Sequence, residues 1–65
     1  MEKIHRALVV DDVESNALLL EVILNDLGIS DVSPAYAGSQ ALTMFDDALF
    51  KDEPYTLVLL DFIMF

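Results

Sequence analysis

No cysteine occurs among the 65 residues, which removes disulfides, thiolate metal sites and cysteine nucleophiles from consideration. Positive charge is nearly as scarce. Lys3, Arg6 and Lys51 stand against twelve acidic residues for a net charge of -9, so nucleic acid and anionic membranes are electrostatically opposed as partners. Long apolar runs are missing too: Ala7 to Val10 is stopped by Asp11-Asp12, and the stretch from Ala17 is interrupted at Glu21, Asn25 and Asp26. Nothing therefore reads as a signal peptide or a spanning helix, and a soluble cytoplasmic protein is the expectation. There is no internal repeat, low-complexity tract or linker, and the two prolines, Pro34 and Pro54, fall at or near connections between periodic segments. Residues 1–65 read as a single unit.

Hydrophobic residues, by contrast, make up 55% of the chain, too many for a disordered segment. A globule of this length buries only about 60% of the surface its unfolded chain exposes. This composition asks for more burial than a lone copy supplies, so a partner copy or further chain is expected.

The periodicity alternates strand with helix. Ala7-Leu8-Val9-Val10 is a short apolar run of the kind that forms a strand buried on both faces. From Glu14 to Leu27, residues Ala17, Leu20, Ile23, Leu24 and Leu27 recur at helical spacing, and Gly28 follows as a stop. Val32 to Tyr36 reads as a second strand, placed at a sheet edge by Pro34, which cannot donate to a ladder. Gly38 to about Phe50 carries Ala41, Leu42, Phe45, Ala48 and Leu49 on one helical face. Tyr55 to Leu60 is a third strand, ended by Asp61. The order βαβαβ implies an α/β fold with a parallel sheet and right-handed crossovers, whose ligands bind beyond the carboxyl ends of the strands.

Asp11, Asp12 and Asp61 all fall at that end. Singly, each is most simply a helix cap or a solvent-facing residue, and Asp12 is placed to cap the first helix. Together they are less ordinary. Like charges gathered at one sheet edge raise one another's pKa unless a cation intervenes, and Mg2+, with hard oxygen ligands and waters that a phosphate can replace, suits them.

Several segments resemble the receiver domain of two-component response regulators, above all the receivers of hybrid histidine kinases. Val9-Val10-Asp11-Asp12 with Asn16, Leu19-Leu20 and Gly28 is similar to the opening of that family. Val32, Ala35, Gly38, Ala41 and Leu42 match its second strand and helix, and Leu57-Val58-Leu59-Leu60-Asp61 with Met64 its phosphoacceptor strand. The resemblance implies one half of a flavodoxin-like doubly wound sheet, with strand order 2-1-3. It implies that Asp61 accepts a phosphoryl group from a histidine kinase or phosphotransfer protein, and that Mg2+ is held by Asp11, Asp12, Asp61 and the backbone carbonyl of Ile63. No separate enzymatic activity is implied.

Phe65 stands where the family has a proline, and the family's later hydroxyl residue and lysine match no position here. Lys3, Arg6 and Lys51 lie at the wrong ends or on loops. A chain cut after its third strand exposes that strand as an edge, and two copies joined through Tyr55 to Leu60 in antiparallel fashion would cover it. A homodimer is expected on that ground, with Phe62-Ile63-Met64-Phe65 available to its interface. The alternatives are a docking module that accepts no phosphate and a fragment of an ordinary receiver. His5 reads as a solvent-exposed residue, and Asp46-Asp47 and Asp52-Glu53 as the solvated side and end of the second helix.

Overall fold

The computed structural model describes residues 6–61, with Asp61 described as backbone only. Five elements follow one another: β1 (Arg6–Asp11), α1 (Glu14–Asp26), β2 (Asp31–Ala35), α2 (Gly38–Phe50) and β3 (Leu57–Asp61). The strands form one sheet in the order β2-β1-β3. Both pairings are parallel, with Val9 opposite Pro34 on one side of β1 and Leu59 on the other. The α/β architecture and the 2-1-3 order expected from the sequence are thus present.

β1 is the centre of the molecule because each of its faces meets a different helix. Side chains alternate across a strand, so Ala7 and Val9 point to one face and Leu8 and Val10 to the other. Ala7 and Val9 join Ala17 and Leu24 of α1 together with Ile29, while Leu8 and Val10 join Ala35 and Ala41 of α2. All four β1 residues are buried. The short apolar run expected to form a strand buried on both faces is covered on both sides.

The helices touch the sheet through fewer residues than their periodicity suggests. Ala17 and Leu24 are buried and Leu20 partly so, yet Ile23 is 46% and Leu27 73% exposed. In α2, Ala41 and Ala48 are buried and Phe45 partly, whereas Leu42 and Leu49 are exposed. Both helices pack over β1 and β2, and neither lies over β3. A residue pointing sideways from either helix therefore meets solvent where a wider sheet would meet a neighbour. Leu18, Leu19 and Val22 add further exposed apolar surface along α1.

Helix ends follow local chemistry. Gly28 has φ of 98°, and the amide of Ile29 reaches back to the Leu24 carbonyl at 3.0 Å, a left-handed C-terminal cap that turns Ile29 into the core. α2 ends in the same way on a residue that pays for it, because Asp52 has φ of 58° while the Glu53 amide donates to the Ala48 carbonyl at 2.8 Å. α1 starts from Val13, with no side-chain cap, so Asp12 does not serve as the cap. The Val13 amide donates to Asp11 instead.

The third strand begins two residues later than its β-propensity suggests. Tyr55 packs against the α2-side core, with the Arg6 guanidinium 4.7 Å from its ring centre, and the Thr56 amide donates to the Arg6 carbonyl at 2.9 Å. Arg6 also donates through Nε to Asp31 at 3.0 Å and through Nη1 to the Glu53 carbonyl. One side chain thereby ties the amino ends of all three strands. No helix among the described residues is long and apolar enough to cross a membrane.

Candidate functional site

The carboxyl ends of β1 and β3 meet with Asp11 directly opposite Asp61 in the parallel register. That pairing follows from the alignment of the two apolar runs, Ala7 with Leu57 through Val10 with Leu60. Both runs end in aspartate, so the backbone brings the two residues together.

Asp11 continues the alternation of β1 and so faces the side of Ala7 and Val9, under the start of α1. It is only 1% exposed, the one buried polar or charged residue among those described. Its Oδ1 accepts a hydrogen bond from the Val13 amide at 2.9 Å, closing a turn between strand and helix. Its Oδ2 is buried with no hydrogen-bond partner. An ionised carboxylate held by one neutral donor is poorly compensated, since a buried charge needs a counter-charge or several donors. The free oxygen is the kind of donor that a hard divalent cation takes.

Asp12 is exposed and lies outside the strand, on the bend before α1. It adds negative charge to the same end of the sheet from the solvent side. The three aspartates singled out by sequence therefore have unequal surroundings: Asp11 is buried and half satisfied, Asp12 is wet, and Asp61 is placed by its backbone. Among the described side chains, no group of three or more His, Asp or Glu is gathered for a metal. Ile63, assigned a carbonyl ligand by resemblance, lies outside the described residues, as do His5 and Phe62 to Phe65.

The Val13 amide is the partner that sequence reasoning missed. An aspartate two residues before a helix start commonly accepts from the backbone two positions on, which is the signal that could have revealed it. The two described cations lie at the opposite end: Arg6 is bound to Asp31 and Glu53, and Lys51 to Asp47 at 3.1 Å. Asp46, Asp47, Asp52 and Glu53 are exposed.

No protein-family model, no curated protein and no solved structure matches the chain.

Proposed function

We propose that the chain is a receiver-type module of two-component signalling, holding Mg2+ at an acidic pocket and accepting a phosphoryl group on Asp61. The observation that carries this reading is the buried, partnerless Oδ2 of Asp11 at the strand end that lies in register with Asp61. Sequence resemblance supports it independently, through the three aspartates and the apolar strands that precede them.

In this reading Asp11, Asp12 and Asp61 hold the ion with the Ile63 carbonyl, and the ion supplies charge neutralisation for the phosphoryl oxygens. Asp61 is the nucleophile: its carboxylate oxygen bonds to the phosphorus of a phosphohistidine donor as the phosphorus–nitrogen bond breaks, leaving an aspartyl phosphate and the donor imidazole. Asp11 is positioned for its part by the Val13 amide, which fixes one carboxylate oxygen and leaves the other buried without a hydrogen-bond partner. The donor is a histidine kinase or a phosphotransfer protein, and a cytoplasmic location goes with that role.

The test is incubation of the chain with acetyl phosphate and Mg2+, read by intact mass. Wild type gains one phosphoryl group, which Asp61→Ala abolishes and Asp11→Asn diminishes. An unlabelled wild type that also fails to bind beryllofluoride defeats the proposal, as does labelling that persists in Asp61→Ala.

A second reading, a docking module that accepts no phosphate, is favoured by a different observation. β3 has a strand neighbour on one side only among the described residues, and Val58 and Leu60 are exposed on it.

A further inference from the structure

The first turn of α1 is held to the sheet differently from the rest of the helix. Ala17 and Leu24 are buried in the core beside β1, and Leu20 is partly so. Before Ala17 that apolar anchoring stops: Asp12, Val13, Glu14 and Ser15 are exposed. Val13 occupies the cap position with φ of -104° and ψ of 112°, and no side chain caps the helix there. Its carbonyl accepts from the Asn16 and Ala17 amides at 3.0 and 3.1 Å, which closes the first turn. Its amide donates to Oδ1 of Asp11 at 2.9 Å. Val13 thus joins the ladder of α1 to one buried carboxylate.

That carboxylate is pulled two ways. Its other oxygen, Oδ2, is buried with no partner. An ionised group with one neutral donor is costly to keep dry, and hydrating it needs only that the exposed first turn swing away. Segments with few buried contacts are where such local opening is easiest. A divalent cation on Oδ2 compensates the charge in place and removes the reason to open. It also draws negative charge from Oδ1 and weakens the charge-assisted bond to the Val13 amide. The first effect is the larger, because an uncompensated buried charge costs more than the difference between a charge-assisted and a neutral hydrogen bond.

We infer that the junction of Asp11 with Val13 is a cation-dependent latch on α1: in ion-free solution the first turn opens to hydrate Asp11, and on binding a divalent cation it closes and becomes ordered. The inference rests on the proposed Mg2+ site and adds a structural response to it. Asp12 to Ser15 are the surface that changes, so occupancy of a buried oxygen is displayed on the outside of the molecule. Coupling of this kind is reciprocal. Whatever orders the first turn raises the affinity for the ion by the same factor.

Amide exchange of the 65-residue chain, without Mg2+ and at an Mg2+ concentration that calorimetry shows to be saturating, tests this. The ion slows exchange at Val13, Asn16 and Ala17 by at least about fivefold beyond any slowing at Leu24 and Ala48. Sodium chloride at equal ionic strength does not. Asp11→Asn keeps the acceptor for the Val13 amide and removes the buried charge, so its first turn is protected in ion-free buffer and does not respond to Mg2+. Val13→Ser keeps the backbone donor and adds a side-chain cap, and it raises Mg2+ affinity by up to about fivefold. Ion binding that protects the first turn no more than Leu24 overturns the latch while leaving the Mg2+ reading intact. So does an Asp11→Asn chain whose first turn exchanges as fast as that of wild type in ion-free buffer. A chain that binds no Mg2+ overturns both.

Discussion

At the scale of single residues, one position of strand alternation separates two adjacent aspartates. Asp11 belongs to β1 and turns under α1, while Asp12 has left the strand and meets water. That both close an apolar strand was legible in the sequence. Which one is buried was not, because it depends on where the strand stops and which face α1 covers. Asp11→Asn keeps an acceptor for the Val13 amide and removes the uncompensated charge. In metal-free buffer it raises the melting temperature. If Asp11 holds Mg2+ as proposed, the ion at roughly ten times Kd is expected to stabilise wild type by about 1.4 kcal/mol and to leave Asp11→Asn unchanged. Thermal denaturation with and without the ion checks both. Asp52 gives a separate prediction from its left-handed backbone. Asp52→Gly relieves that conformation and gains up to about 1 kcal/mol, and Asp52→Val costs about 1–2 kcal/mol, measured by urea unfolding.

At the scale of elements, equal hydrophobicity hides unequal roles. Leu24 and Leu27 occupy the same predicted apolar stripe, yet Leu24 is buried on the sheet and Leu27 is largely exposed. Leu24→Ala is expected to cost about 2–4 kcal/mol, much of what so small a domain has, and Leu27→Ala no more than about 0.5 kcal/mol. Chemical denaturation separates them. Helix period was readable from one residue to the next, but the width of the surface receiving the helix was not. Three strands with a helix centred over two of them leave no room for the flanking positions. Arg6 shows the same limit in a polar residue. Nothing in its neighbours Lys3 and His5 marks it, yet it binds Asp31 at the start of β2 and Glu53 before β3. Arg6→Ala is expected to cost about 1 kcal/mol, the loss shrinking in high salt because the pairs are half exposed.

At the scale of the whole molecule, the balance of charge dominates. Twelve acidic residues against three basic ones give a compact state that repels itself. Moderate sodium chloride is therefore expected to raise the melting temperature of wild type. Scanning calorimetry at two ionic strengths tests this, and a melting temperature indifferent to salt contradicts it. Only at this scale do the two sheet edges differ in consequence. Pro34 announced one edge in the sequence. The exposure of the other follows from the strand order, which leaves β3 with β1 as its sole described neighbour.

The sequence by itself determined the alternation of three strands with two helices, the Gly28 stop, the edge position of β2 and the carboxylates that close β1 and β3. These are local matters of periodicity, backbone freedom and missing donors, and each is written in a few consecutive residues. Only the tertiary structure decided that Asp11 is sealed in with one free oxygen, that Asp61 stands level with it, and that Val58 and Leu60 border an open groove. Those facts depend on register between segments some fifty residues apart and on which surfaces the helices cover. No single segment encodes either; both arise when the whole chain buries its apolar faces together.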